Sequence, residues 1–197
     1  MDETIPSVTE NPFDQNQDLL AKWLRYLLYA NGVMLAVTVL AAIPGVGSTV
    51  TGWINNILRI CTLFFLFRLA PANPRYRKSV IFSAIGMTGF MLDTIAGLLT
   101  SICTLVGTYQ EYHAHSELIQ TKDTYLSDKW RSLFLWEIGV GLLVSPISVF
   151  GSMLAASTGY STDTIVSVIL VVVMIPTAII KLLYLKYLKA MLDMLRK

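Results

Sequence analysis

Apolar residues run in five long stretches, near 26–43, 50–70, 79–108, 138–160 and 164–188, and polar residues are largely confined to the segments between them. A helix needs about 20 mostly apolar residues to cross the hydrocarbon core of a bilayer. Five such stretches leave little of the 197 residues for a water-soluble body. The pattern therefore predicts an all-α, polytopic integral membrane bundle with five hydrophobic segments. The implied layout is a polar acidic tail over 1–21, one membrane-embedded helical domain over 22–190, and a basic tail over 191–197. Within the domain, hairpins at 22–70 and 129–190 flank a long segment at 79–118.

The boundaries carry recognisable signals. Lys22, Trp23, Arg25, Tyr26 and Tyr29 form a basic and aromatic cluster of the kind that anchors a helix end at the headgroups. Pro44, Gly45 and Gly47 predict an uncharged turn, whereas the loop after Arg68 holds Arg75, Arg77 and Lys78. Pro146 and Pro176 fall inside the last two stretches, where each removes a helical hydrogen bond and favours a kink. The third stretch is long for one crossing and short for two.

An internal echo suggests duplication. Leu19, Lys22, Trp23, Leu28, Gly32, Val33, Leu35 and Val37 each recur as the same residue type 107 positions later, from Leu126, Lys129 and Trp130 through Gly139 and Val140 to Val144. Two pseudo-repeated hairpins then need the third segment to return to its own side, as a re-entrant loop or a short hairpin turning near Asp93. That arrangement places the N-terminal tail, the 71–78 loop, the 109–131 connector and the C-terminus together, with the dense Lys and Arg clusters on the cytoplasmic side. A single crossing would send one basic cluster outside.

Composition narrows the class. The chain is 54% hydrophobic and 14% charged, with a mean hydropathy of +0.60, whereas about a quarter of residues are charged in an ordinary soluble domain. No basic patch suggests nucleic acid, and no cofactor fingerprint, nucleophile motif or strong metal pattern is present. Asp2, Glu3, Glu10, Asp14 and Asp18 precede the first Lys or Arg, so the N-terminus does not read as a signal peptide and the first span is expected to be retained. Cys61 and Cys103 lie in apolar stretches and are expected as free thiols. The expected setting is the plasma membrane of a bacterial cell.

The candidate polar site within the membrane comprises Asp93, Arg59 and Glu137, because an ionisable group deep in a span costs about 2.5–3.5 kcal/mol on insertion scales. At 1.5 Å per residue from the basic loop, Arg59 and Asp93 stand at comparable depths, about 16 and 22 Å, and could pair. Asp93 could equally cap a helix at a turn. Glu137 is expected to face a polar neighbour near the interface. In the Glu111 to Glu117 segment, helical spacing brings Glu111 to His115 and His113 to Glu117; this is not zinc-protease spacing, and it predicts a solvated charged helix face. Small residues spaced by four, such as Ala84 with Thr88 and Gly141 with Ser145, favour close helix packing.

Two functions fit these features. One is a non-enzymatic subunit, scaffold or regulatory anchor whose basic face meets anionic lipid of the bilayer, a membrane protein partner or a second copy. The other is a small carrier or channel for an ion or solute, acting as an oligomer. An enzyme would need a catalytic dyad or metal cluster that the sequence does not display.

Overall fold

The computed structural model describes residues 12–41, 48–88, 94–158 and 162–195, with side chains described for 17–41, 50–88, 99–142 and 175–195. Among the described residues the chain is all-helical, with no strand. The helices are α1 (Pro12–Ala41), α2 (Ser48–Leu69), α3 (Pro74–Met87), α4 (Thr94–Ile119), α5 (Thr124–Thr158) and α6 (Thr162–Leu195). Each helix packs on its neighbour in chain order, and α6 returns to α1, which closes the six into a ring.

Local chemistry sets the two turns at one end of this ring. Between α2 and α3, the Ala72 amide donates to the Leu69 carbonyl at 3.0 Å. Asn73 then adopts an extended backbone (φ −154°, ψ 124°) and accepts the Arg75 amide on its side chain, with Pro74 in the first helical turn. A side-chain acceptor at the cap satisfies an amide that the helix leaves free, and proline has no amide to satisfy there. Between α4 and α5, the amides of Lys122 and Asp123 donate to the Ile119 carbonyl at 2.9 and 2.8 Å. Asp123 in turn caps α5 through its carboxylate, which accepts the Leu126 amide at 2.9 Å.

The third apolar stretch is two helices rather than one. α3 and α4 run antiparallel in tight register: Asn73 and Arg75 meet Glu117, Tyr76 meets His115, and Ser83 lies against Gly107. The stretch thus returns to its own end of the bundle. Its turn, with Asp93, lies outside the described residues. The close approach depends on Gly86 and Gly107, where a Cβ would come within 2.1 Å of the Thr104 hydroxyl and 2.3 Å of the Ser83 hydroxyl. Gly141, in contrast, has nothing within 4 Å of a would-be Cβ, so the spacing rule does not locate the contact there.

The apolar core occupies the end where the 70–73 and 120–123 turns meet the start of α1 and the end of α6. Leu24, Leu27, Leu66, Leu69, Trp130 and Leu188 are all buried in it. The helical domain also extends past the limits suggested by the sequence. α1 begins at Pro12 rather than Lys22, and Met191, Leu192 and Leu195 are buried, so residues 191–195 continue α6 instead of forming a separate tail. Two helices, over Gln17–Ala41 and Val50–Leu69, are long and apolar enough to cross a membrane among the described residues. Both copies of the echoed sequence are hairpins, α1–α2 and α5–α6, and both start at the core end.

Candidate functional site

Polar residues that look scattered in sequence fall on one face of each helix. On α1, Asn31 and Thr38 stand seven apart, two turns along one face; on α2, Asn55, Arg59 and Thr62 are spaced by four and three, and on α4, Thr104, Thr108 and Glu111 repeat that spacing. Steps of three and four keep residues on one side of a helix. In the ring these faces converge on a cavity of about 430 Å³, completed by Glu137 of α5 and Lys181 of α6. All six helices contribute to its wall.

The small polar groups of this wall are largely satisfied within their own helices. The hydroxyls of Thr38, Thr62, Thr104 and Thr108 donate to carbonyls one turn back at 2.8–3.1 Å, and the Asn31 amide donates to the Leu27 carbonyl at 2.9 Å. Their oxygens retain lone pairs for a further donor. Asn55 differs, since its amide oxygen is buried and accepts no hydrogen bond among the described residues.

The carboxylates are held by tyrosines. Tyr112 donates to one oxygen of Glu137, and Lys181 lies 3.4 Å from the other. Tyr184 donates to Glu111 at 2.6 Å. The same Glu111 oxygen lies 3.7 Å from Nε2 of His115, an ion-pair distance too long for a hydrogen bond. His115 is fully buried, its Nδ1 is 2.8 Å from the Tyr76 hydroxyl, and its ring is tilted against Trp130 at 4.5 Å between centroids. With the Tyr76 hydroxyl as donor to Nδ1, the ring carries a proton on Nε2, which has no hydrogen-bond acceptor among the described residues.

The histidine segment therefore departs from the solvated face expected of it. Glu111 and His115 do meet, but inside the bundle, because α4 turns this face toward α3, α5 and α6. His113 is partly buried and bonds back to the Tyr109 carbonyl at 3.2 Å. Burial lowers its pKa, aided by Arg75 and Arg131 and opposed by that carbonyl. Glu117 turns away to the 70–73 loop, where Arg75 Nε and Asn73 Nδ2 donate to its two oxygens at 2.8 and 3.0 Å. Partial burial raises the Glu117 carboxyl, and these two hydrogen bonds with the Arg75 charge outweigh it, so the net shift is downward.

Of the intramembrane candidates, the fold brings Arg59 and Glu137 to one cavity, and Asp93 lies outside the described residues. Glu111, Lys181, Asn55 and the threonines are site residues that charge and depth did not flag; the repeated spacing of three and four was the available signal. Arg59 has no carboxylate within ion-pair reach among the described residues. Cys61 and Cys103 are free thiols, both partly buried. Among the described residues, no group of three His, Cys, Asp or Glu side chains could hold a metal ion. No protein-family model, curated protein or solved structure matches this chain.

Proposed function

We propose that this chain is a polytopic membrane carrier, not an enzyme, that binds a small solute bearing an anionic group and a hydrogen-bond donor, such as a hydroxy acid or an amino acid. The observation that carries this reading is Arg59. It lines a cavity of metabolite size, about 430 Å³, while the neighbouring cation Lys181 is engaged by Glu137. A guanidinium presents a fork of donors that matches a carboxylate in bidentate fashion. The Asn55 oxygen, without a partner among the described residues, lies one turn away to take a solute N–H or O–H.

Support for the membrane setting comes from the inside-out distribution of polarity. Trp53, Ile57, Ile60, Phe64 and Phe67 form an outward stripe on α2, and Leu135, Trp136 and Leu142 do so on α5, while charged groups line the interior. Soluble monomers rarely expose contiguous apolar patches above a few hundred Å². In this reading the α3–α4 pair enters the bilayer and returns to its own side while the two flanking hairpins cross it, and the basic end holding Arg75, Arg77, Lys78, Lys186 and Lys189 faces the cytoplasm. The plasma membrane of a bacterial cell fits that orientation. All six helices of one chain line the cavity, so a pathway does not require a second copy. A scaffold or anchor has no use for such a cavity.

The test is thermal unfolding of the detergent-solubilised protein against acetate, lactate, glutamate and inorganic phosphate. Ligand at about 100 times its Kd stabilises by roughly 2.7 kcal/mol. At least one carboxylate should raise the unfolding temperature of the wild type and leave that of Arg59→Gln unchanged. Equal shifts in both proteins, or none in either, would remove the support for this reading.

A further inference from the structure

We infer that a second site, on the outer face of the bundle, holds one anionic phospholipid with its phosphate between Arg68 and Arg77. A groove of about 630 Å³ lies where the first turns of α1 meet the end of α2 and the start of α3. Its apolar floor is Leu19, Trp23 and Phe67, and the two arginines close it on the polar side. Among the described residues no acidic side chain lines it.

Four arginines near the 70–73 and 120–123 turns divide into two kinds. Arg75 is bound by Glu117 at 2.8 Å, and Arg131 stands 4.0 Å from Asp128. Arg68 and Arg77 have no carboxylate partner among the described residues, and both face the groove. The Arg68 guanidinium lies 5.4 Å from the Trp23 ring and 5.2 Å from the Phe64 ring, which orients it without neutralising it. Two unneutralised guanidiniums at one groove match a phosphodiester.

The apolar floor decides between a lipid and a soluble anion. Leu19 and Phe67 are 51% and 53% exposed, more apolar surface than a bare phosphate would use but suited to the first carbons of an acyl chain. The groove also sits at the ends of the two helices that are long and apolar enough to cross a membrane, the depth at which headgroups lie. Basic pockets at that level favour anionic headgroups. The inference rests on the membrane setting proposed above and is independent of the solute in the central cavity.

Native mass spectrometry of the full chain in detergent can read the site directly, with palmitoyl-oleoyl phosphatidylglycerol, the matching phosphatidylcholine and inorganic phosphate as separate probes. One phosphatidylglycerol should bind at least tenfold more tightly than phosphatidylcholine, and Arg68→Gln/Arg77→Gln should lose most of that preference while Arg131→Gln keeps it. Should the double variant fail to fold, Arg77→Gln alone supplies the test, since Arg77 is exposed and has no carboxylate partner among the described residues, and a severalfold loss is expected. Equal retention of the two lipids, equal loss in Arg131→Gln, or phosphate binding as tight as that of the lipid would each overturn the site. Binding of phosphatidylglycerol only after Asp2, Glu3 and Glu10 are neutralised would also overturn it, by identifying the acidic N-terminal segment as the occupant. A protein that stays monodisperse without detergent would defeat the membrane setting itself, whereas loss of lipid selectivity in a detergent-dependent protein would defeat only this site.

Discussion

Trp23 and Trp130 occupy equivalent places in the two echoed hairpins, each preceded by a lysine and followed nine residues later by a glycine, yet their surroundings are opposite. Trp23 is half-buried at the rim of α1–α2, edge-on to Phe64 with its ring centroid 5.9 Å away, and its other side forms the floor of the basic groove. Trp130 is fully buried, packed on His115, Tyr112, Tyr184 and Tyr187. The cause is what lies beside each hairpin. Trp130 points inward between α4 and α6, whereas α1–α2 meets α6 on one side and α3 on the other, and Trp23 lies on a face that neither covers. Identical local sequence specifies a helix and its depth, and the neighbour decides whether the ring is an interfacial anchor or a core residue.

The sharpest way to break this contrast is truncation. Trp130→Ala should cost about 3–5 kcal/mol, as for large core aromatics, and Trp23→Ala about 1 kcal/mol, nearer the ordinary surface range. Equilibrium unfolding in mixed micelles measures both, and equal losses would mean that the two hairpins are equally enclosed.

Next comes the hydroxyl beneath Trp130. Tyr184→Phe removes the donor to Glu111 and leaves that carboxylate facing His115 alone, which should cost about 1.5–3 kcal/mol, the range for hydrogen bonds to charged groups. No comparable polar contact supports Trp23 among the described residues, so Tyr26→Phe should fall within about 0.5 kcal/mol of wild type by the same assay.

Glycines extend the contrast to the backbone. A Cβ at Gly107 would lie 3.0 Å from the Ser83 amide nitrogen and 3.2 Å from the Ser79 carbonyl, contacts that no side-chain rotation relieves. Gly107→Ala should therefore push α4 from α3 and destabilise by about 1–3 kcal/mol. Gly32 and Gly139, the equivalent glycines of the two hairpins, have nothing within 4 Å. Alanine there should be neutral or stabilising by up to about 1 kcal/mol through helix propensity. The three melting temperatures check this order.

The smallest effect is one of pH. Because the folded Glu117 carboxyl titrates below its ordinary value, its contribution is fully present above the ordinary carboxylate range and is lost as pH falls through the lowered value. Below about pH 4, amide protection corrected for intrinsic exchange should drop across 73–80 and 109–117 while 21–30 keeps its protection. Glu117→Gln should abolish the pH step.

Much of this molecule was legible one helix at a time. Long apolar runs can bury their backbone polar groups only as helices, so the all-helical architecture follows from hydropathy. Asn73-Pro74 and Asp123 stop and restart helices through bonds within a few residues, and such turns are local by nature. The tertiary structure decided what no single helix holds: how far each is rotated about its own axis. That rotation buried His115, which spacing alone had placed beside Glu111 but on a wet face. It also gathered Arg59, Glu111, Glu137 and Lys181 from four helices into one cavity, and it set the register of the α3–α4 pair, which depends on Gly86 and Gly107. A helix carries its polar stripe in its sequence, but the direction in which the stripe points is set by packing against neighbours distant in the chain.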